Sequence, residues 1–168
     1  MTALLATAAP SPLWYFARGS GLVALVLLSA TLVLGVLVGT GYRSRETPAF
    51  FLSGLHRSVS LLALVFTGLH IVTIELDTYV GVGWLSAVVP FVSPYRPLWT
   101  GLGALAFDLM VALAVTSLLR ARIGYESWRY VHWLAYLCWP VAIMHGLGDG
   151  SDSRAGWAGL IYLVCALA

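Results

Sequence analysis

The sequence predicts an all-α fold, a polytopic transmembrane helical bundle with about five visible spans, the last of them incomplete. Three observations carry this. Hydrophobic residues fill 60% of the 168 positions and charged residues only 10%, against about 25% charged in a soluble domain. Apolar runs of bilayer-crossing length recur along the chain. The nine basic residues, all arginine, gather on alternate connections between those runs. A net charge of +2 is too small to suggest nucleic acid as a partner. Cys138 and Cys165 both fall in apolar runs, so no disulfide framework is expected.

The first span is expected over roughly residues 13–40, with Arg18 near its start. Residues 1–14 carry no basic n-region, so this run reads as a retained span and not as a cleavable signal. The second, over roughly 49–74, follows the helix-start signal Thr47-Pro48. The third covers roughly 99–119 and the fourth roughly 128–147. A fifth begins near Gly156 and reaches Ala168, short of the ~20 residues that a crossing needs. The sequence is expected to end inside a helix or to be continued by further chain, with room for a sixth span in the full protein. Residues 1–168 read as a single domain.

Arginine placement sets the expected topology. Arg43, Arg45 and Arg57 flank the first connection, and Arg120, Arg122 and Arg129 the third. The opposite connections are mainly acidic, with Glu75 and Asp77 beside Arg96, then Asp149 and Asp152 beside Arg154. The first set is therefore expected in the cytoplasm and the N-terminus outside. The outer connection over 79–97 holds Pro90, Pro94 and Pro97 around an apolar Val-Val-Pro-Phe-Val core. It is expected to lie on the interface or to cap an outer site.

All four histidines lie inside these spans. His56 and His70 share the second, 14 residues apart, and His132 and His145 share the fourth, 13 apart. Such steps cover roughly 20 Å of helix, most of the ~30 Å hydrocarbon core. The two spans are separated by one antiparallel span, so they run in the same direction. Topology alone then pairs His56 with His132 and His70 with His145. A 14-residue step keeps its histidines within ~40° of each other around the axis, and Gly-Leu-His recurs at that step, at 54–56 and 68–70. Glycine beside a ligand admits close approach by a flat cofactor. The 13-residue step rotates His145 by ~140° from His132 on an ideal helix, and Pro140 between them is the expected kink. Zinc needs ligands converging within ~2.1 Å of one ion, which pairs at different depths cannot supply. Imidazole pairs suit heme iron.

Further residues surround these pairs: Thr116-Ser117 with Arg120 closing the third span, Trp128-Arg129-Tyr130-Val131-His132 opening the fourth, and Met144-His145-Gly146 near its end. On these residues and the double spacing, the chain from about Trp14 onward resembles the ferric reductase-like transmembrane domain family. That family includes the membrane cores of NADPH oxidases and ferric reductases, and the heme-binding subunit of the periplasmic methionine sulfoxide reductase. The resemblance implies two heme b groups held by His56, His132, His70 and His145, with electrons passing from the cytoplasmic to the outer face of a bacterial-type plasma membrane. It also implies a heme-propionate role for Arg18, whose alternative is an interfacial anchor.

Fused oxidases and reductases of the family carry a flavin- and NADPH-binding domain, and no glycine-rich nucleotide loop is visible here; Gly19-Ser20-Gly21 opens an apolar span. A flavin is thus expected only on a cytoplasmic partner or on further chain, with quinol as the other donor. Ferric chelates, oxygen or a periplasmic protein are the expected acceptors. The rival readings are a redox subunit that only relays electrons to a partner enzyme, a quinol-linked diheme subunit, and a heme-free transporter or scaffold using the histidines as proton sites. Arg57, Arg120, Arg122 and Arg129 are read first as ordinary cytoplasmic-side residues, with propionate binding or flavoprotein docking as the alternative. Asp108, mid-span in the third helix, is read first as a neutral acid bonded to a hydroxyl of the bundle, with a protonated relay or a hydrogen-bond partner to a ligand histidine as the alternative. Met110 and Met144 are expected to pack, Trp133 and Trp139 to face the interior, and Trp14, Trp84, Trp99, Trp128 and Trp157 to form an interfacial belt.

Overall fold

The structure, a computed structural model, describes residues 11–42, 48–77, 81–150 and 156–167, and no strand occurs among them. Arg43, Arg45, Asp152 and Arg154 lie outside the described residues. Helix α1, Pro12–Gly39, starts where Ser11 accepts the Trp14 N–H at 3.0 Å with proline in the first turn. It closes with Tyr42 N–H bonded to the Leu37 carbonyl at 3.0 Å, across Gly41 at φ +70°. Helix α2, Ala49–Leu76, follows Pro48. The Ser11 hydroxyl donates to the Asp77 carboxylate at 3.0 Å, fixing the start of α1 to the end of α2. Helix α3, Pro97–Leu118, begins after Arg96 in the left-handed region at φ +42°. All three are long and apolar enough to cross a membrane, and the protein is an integral membrane helical bundle.

The fourth span departs from expectation. After a single turn, α4, Arg120–Ile123, it is not one helix but two pieces: α5, Tyr125–His132, and α6, Ala135–Asp149. The break falls at Trp133 and Leu134, not at Pro140, which sits inside α6. Around it the N–H groups of Leu134, Tyr136 and Leu137 bond three residues back, to Val131, Trp133 and Leu134. Such tightened turns overwind a helix by ~20° per residue. That is the direction needed to bring a 13-residue step back onto one face. Helix α7, Gly156–Ala166, completes the described chain.

Packing divides the bundle in two. Helices α1 and α2 form one extensive antiparallel pair and α3 with α6 the other, while α2 and α6 hardly touch. The core lies between α1, α6 and α7, where Leu25, Ile143, Tyr162 and Cys165 are buried and Trp139 packs against them. Trp139 Nε1 donates to Ser29 Oγ at 3.0 Å, joining α6 to α1. Trp133, by contrast, faces outward at 60% exposure, because the break turns it away from that core. At the far end Arg96 donates to the Gly148 carbonyl at 2.8 Å, and Trp99 fills the space over Gly148, closing α3 onto α6. Phe91 of the preceding connection lies directly on Gly101, so that connection covers the first turns of α3. It also exposes Trp84, Leu85, Val88 and Val92.

Candidate functional site

The two pairs of histidines meet across the gap between α2 and the α5–α6 segment. His56 and His132 have ring centres 6.2 Å apart with planes at 73°, and His70 and His145 repeat this at 6.2 Å and 72°. No hydrogen bond joins the rings of either pair. Among the described residues no group of three or more metal-ligating side chains occurs.

Three of the four rings are oriented by one recurring device. His70 Nδ1 donates to the Ala17 carbonyl at 2.7 Å, His56 Nδ1 to Thr31 at 3.1 Å and His145 Nδ1 to Trp99 at 2.8 Å. Four residues beyond each carbonyl stands a glycine: Gly21, Gly35 and Gly103. A Cβ there would lie 2.8 Å from the His70 ring, 3.2 Å from His56 and 2.7 Å from His145. The reason is geometric. A carbonyl at i and the side chain at i+4 share one helix face, so an outside donor reaching that oxygen passes over residue i+4. Because a carbonyl only accepts, each Nδ1 carries the proton, and the neutral ring presents a bare Nε2 lone pair. Gly21 and Gly35 repeat the 14-residue step of His56 and His70, so the antiparallel α1–α2 register makes both sockets at once.

His132 is held differently. Its Nδ1 is buried without a hydrogen-bond partner among the described residues. Its ring instead stacks on Trp128, with centres 4.7 Å apart and planes at 26°. Trp128 Nε1 donates to Ser117 Oγ at 3.2 Å, and the Arg120 guanidinium lies 4.4 Å from the indole centre. Ser117 stands 14 residues after Gly103, where a fourth socket glycine would fall.

The model of the ferric reductase like transmembrane component family matches residues 20–143, well over half of the chain. The chain belongs to that family. Comparisons with individually curated proteins and with solved structures give no match. Membership makes the bundle a membrane electron-transfer component. The matched stretch contains His56, His70 and His132, and ends two residues before His145.

Other residues singled out in this ferric reductase-like chain fall as follows. Arg18 lies over the Trp14 ring at 4.3 Å and adjoins Ala17, at the level of His70 and His145. Arg57, Arg120, Arg122 and Arg129 are exposed, and cluster at the His56/His132 end. Asp108 is half-buried, and the expected hydroxyl partner is absent; no hydrogen bond reaches it among the described residues. Met144 is exposed. Two belt tryptophans have inward duties, since Trp99 supplies the carbonyl for His145 and Trp128 supports His132. A Cβ at Gly54 or Gly68 would meet nothing among the described residues. The glycines that touch histidine are on the neighbouring helices, and their only sequence signal is the repeated 14-residue step.

Proposed function

We propose that this chain is a diheme b-type membrane cytochrome whose two hemes would be held by His56 with His132 and by His70 with His145. The observation that carries the reading is the 6.2 Å ring separation, identical at both levels. An imidazole–metal bond is about 2 Å long, and a ring nitrogen lies about 1.1 Å from the ring centre. Two rings facing one metal end-on therefore sit about 6 Å apart. Two rings hydrogen-bonded to each other would close to about 5 Å, which weighs against a proton site. A pair with Nδ1 protons committed to carbonyls also leaves Nε2 as the donor atom that heme iron takes.

When bound, heme b supplies reversible one-electron chemistry. The residues of this chain bind, orient and exclude water. Ala17, Thr31 and Trp99 fix three imidazoles in one tautomer through their carbonyls. In this reading Arg18 would meet a propionate at the His70/His145 level, and Arg57 and Arg129 one at the other. By the arginine asymmetry the His56/His132 level faces the cytoplasm of a bacterial-type plasma membrane and the N-terminus lies outside. Electrons then run outward from a cytoplasmic flavoprotein or a quinol to a ferric, oxygen or periplasmic protein acceptor.

The test is a reduced-minus-oxidised spectrum with a pyridine hemochrome assay on the purified protein. Two b hemes per chain are expected, falling to one in either His70→Ala or His145→Ala. Absence of b-type bands refutes the reading.

A further inference from the structure

The four histidines are not held alike, and the difference lies at one level of the bundle. His70 and His145 both donate from Nδ1 to a main-chain oxygen, at 2.7 and 2.8 Å. At the other level His56 does so at 3.1 Å, and His132 has no such partner among the described residues. We infer that the Arg120–Trp128–Ser117 column at His132 makes the His56/His132 level the higher-potential of the two redox sites, so that a single electron rests at the arginine-rich end. The inference rests on the diheme reading.

Two effects act in one direction. A hydrogen bond from Nδ1–H to a carbonyl shifts electron density toward Nε2 and favours the oxidised, more positive metal. The His70/His145 level has two such bonds and the His56/His132 level one, the longest of the three. An indole face, which is what His132 has in exchange, supplies no such acceptor. The second effect is Coulombic: Arg120, 4.4 Å from that indole, places a fixed cation near the His56/His132 level, and with Arg57, Arg122 and Arg129 at the same end against Arg18 at the other it disfavours added positive charge there.

The local sequence explains why this level differs. With Ser117 in place of glycine, its side chain stands on the face a socket would need open, and its hydroxyl pins Trp128 instead. The Leu113 carbonyl, four residues back, already accepts from the Thr116 hydroxyl at 3.3 Å. Arg120, Trp128 and Ser117 are positioning residues acting through His132.

A potentiometric titration of heme absorbance on the purified full chain tests this. Two one-electron waves are expected. Gly103→Ala puts a methyl against His145 and should abolish the lower wave while sparing the upper. Arg120→Gln should lower the upper wave alone by about tenfold in relative affinity for the two redox states, which is about 59 mV. Arg120→Lys keeps the charge and should restore most of the potential, as Trp128→Phe should where Trp128→Leu does not. Loss of the upper wave in Gly103→Ala, or Arg120→Gln leaving both potentials unchanged in a protein with two hemes, overturns the inference and leaves the diheme reading intact. Absence of heme from the wild-type protein overturns both.

Discussion

Replacing Gly103 by alanine is the sharpest probe of the histidine sockets. The added Cβ would lie 2.7, 2.8 and 3.0 Å from Cε1, Nδ1 and Nε2 of His145, across the ring rather than at one edge. Carbon contacts relax at about 3.5 Å or more, so the ring must retreat by roughly 0.7 Å or α3 must back away from α6. Either movement stretches the 2.8 Å bond to the Trp99 carbonyl, and a ligand constellation tolerates only about 0.5 Å of drift. Loss of that bond costs about 1 kcal/mol in stability, and loss of an orienting partner weakens a metal site about 10- to 100-fold. The expected outcome is a folded protein that keeps one heme firmly and loses the other on dilution or gel filtration, read by hemochrome per protein. Gly21→Ala should behave alike, its Cβ being 2.8 Å from His70, while Gly35→Ala should be milder at 3.2 Å from His56. Gly19→Ala meets nothing within 4 Å and serves as the control. If Gly103→Ala and Gly19→Ala match in heme content and spectrum, the sockets do not orient the histidines.

Ser29→Ala strands the Trp139 indole N–H in the core between α1 and α6, and should cost about 1–3 kcal/mol in denaturant unfolding in micelles. Cys138 is fully buried and Cys165 is 3% exposed, so neither should take a maleimide until the protein is unfolded; prompt labelling of Cys138 in the native state would contradict the α3–α6 packing. Asp108 has no hydrogen-bond partner among the described residues. Asp108→Asn should therefore change stability by no more than about 0.5 kcal/mol and leave both hemes, as thermal melts and hemochrome assays would show.

Much of the site was legible in the chain. Matching steps on two co-directional spans pair His56 with His132 and His70 with His145 from topology, and those are the rings the structure brings to 6.2 Å. The break at Trp133–Leu134 was not legible, because neither residue disrupts a helix by itself. It arises from tertiary demand: His132 and His145 must both face α2, and 13 residues of ideal helix do not allow it. Pro140 looked the natural kink, yet it sits within α6 without ending it. The sockets were half legible. Gly21 and Gly35 show the same step as the histidines, but glycine in an apolar span carries no mark of the ring that fills its empty side. The bond of Trp128 to Ser117 and its stacking on His132 depend on the turn at Gly124, whose φ of +83° aims α5 back along α3.

The oxygens that orient His56, His70 and His145 belong to the main chain, and this makes them invisible to an alanine scan. Replacing Thr31 alters a side chain and leaves the accepting oxygen in place. What α1 has to preserve is a distance counted in residues. One residue inserted between Ala17 and Thr31 would swing one socket by ~100° relative to the other, detaching a histidine while every original side chain is still present. Along this helix the information is metrical: fourteen positions from one acceptor to the next, matching fourteen on the helix it faces.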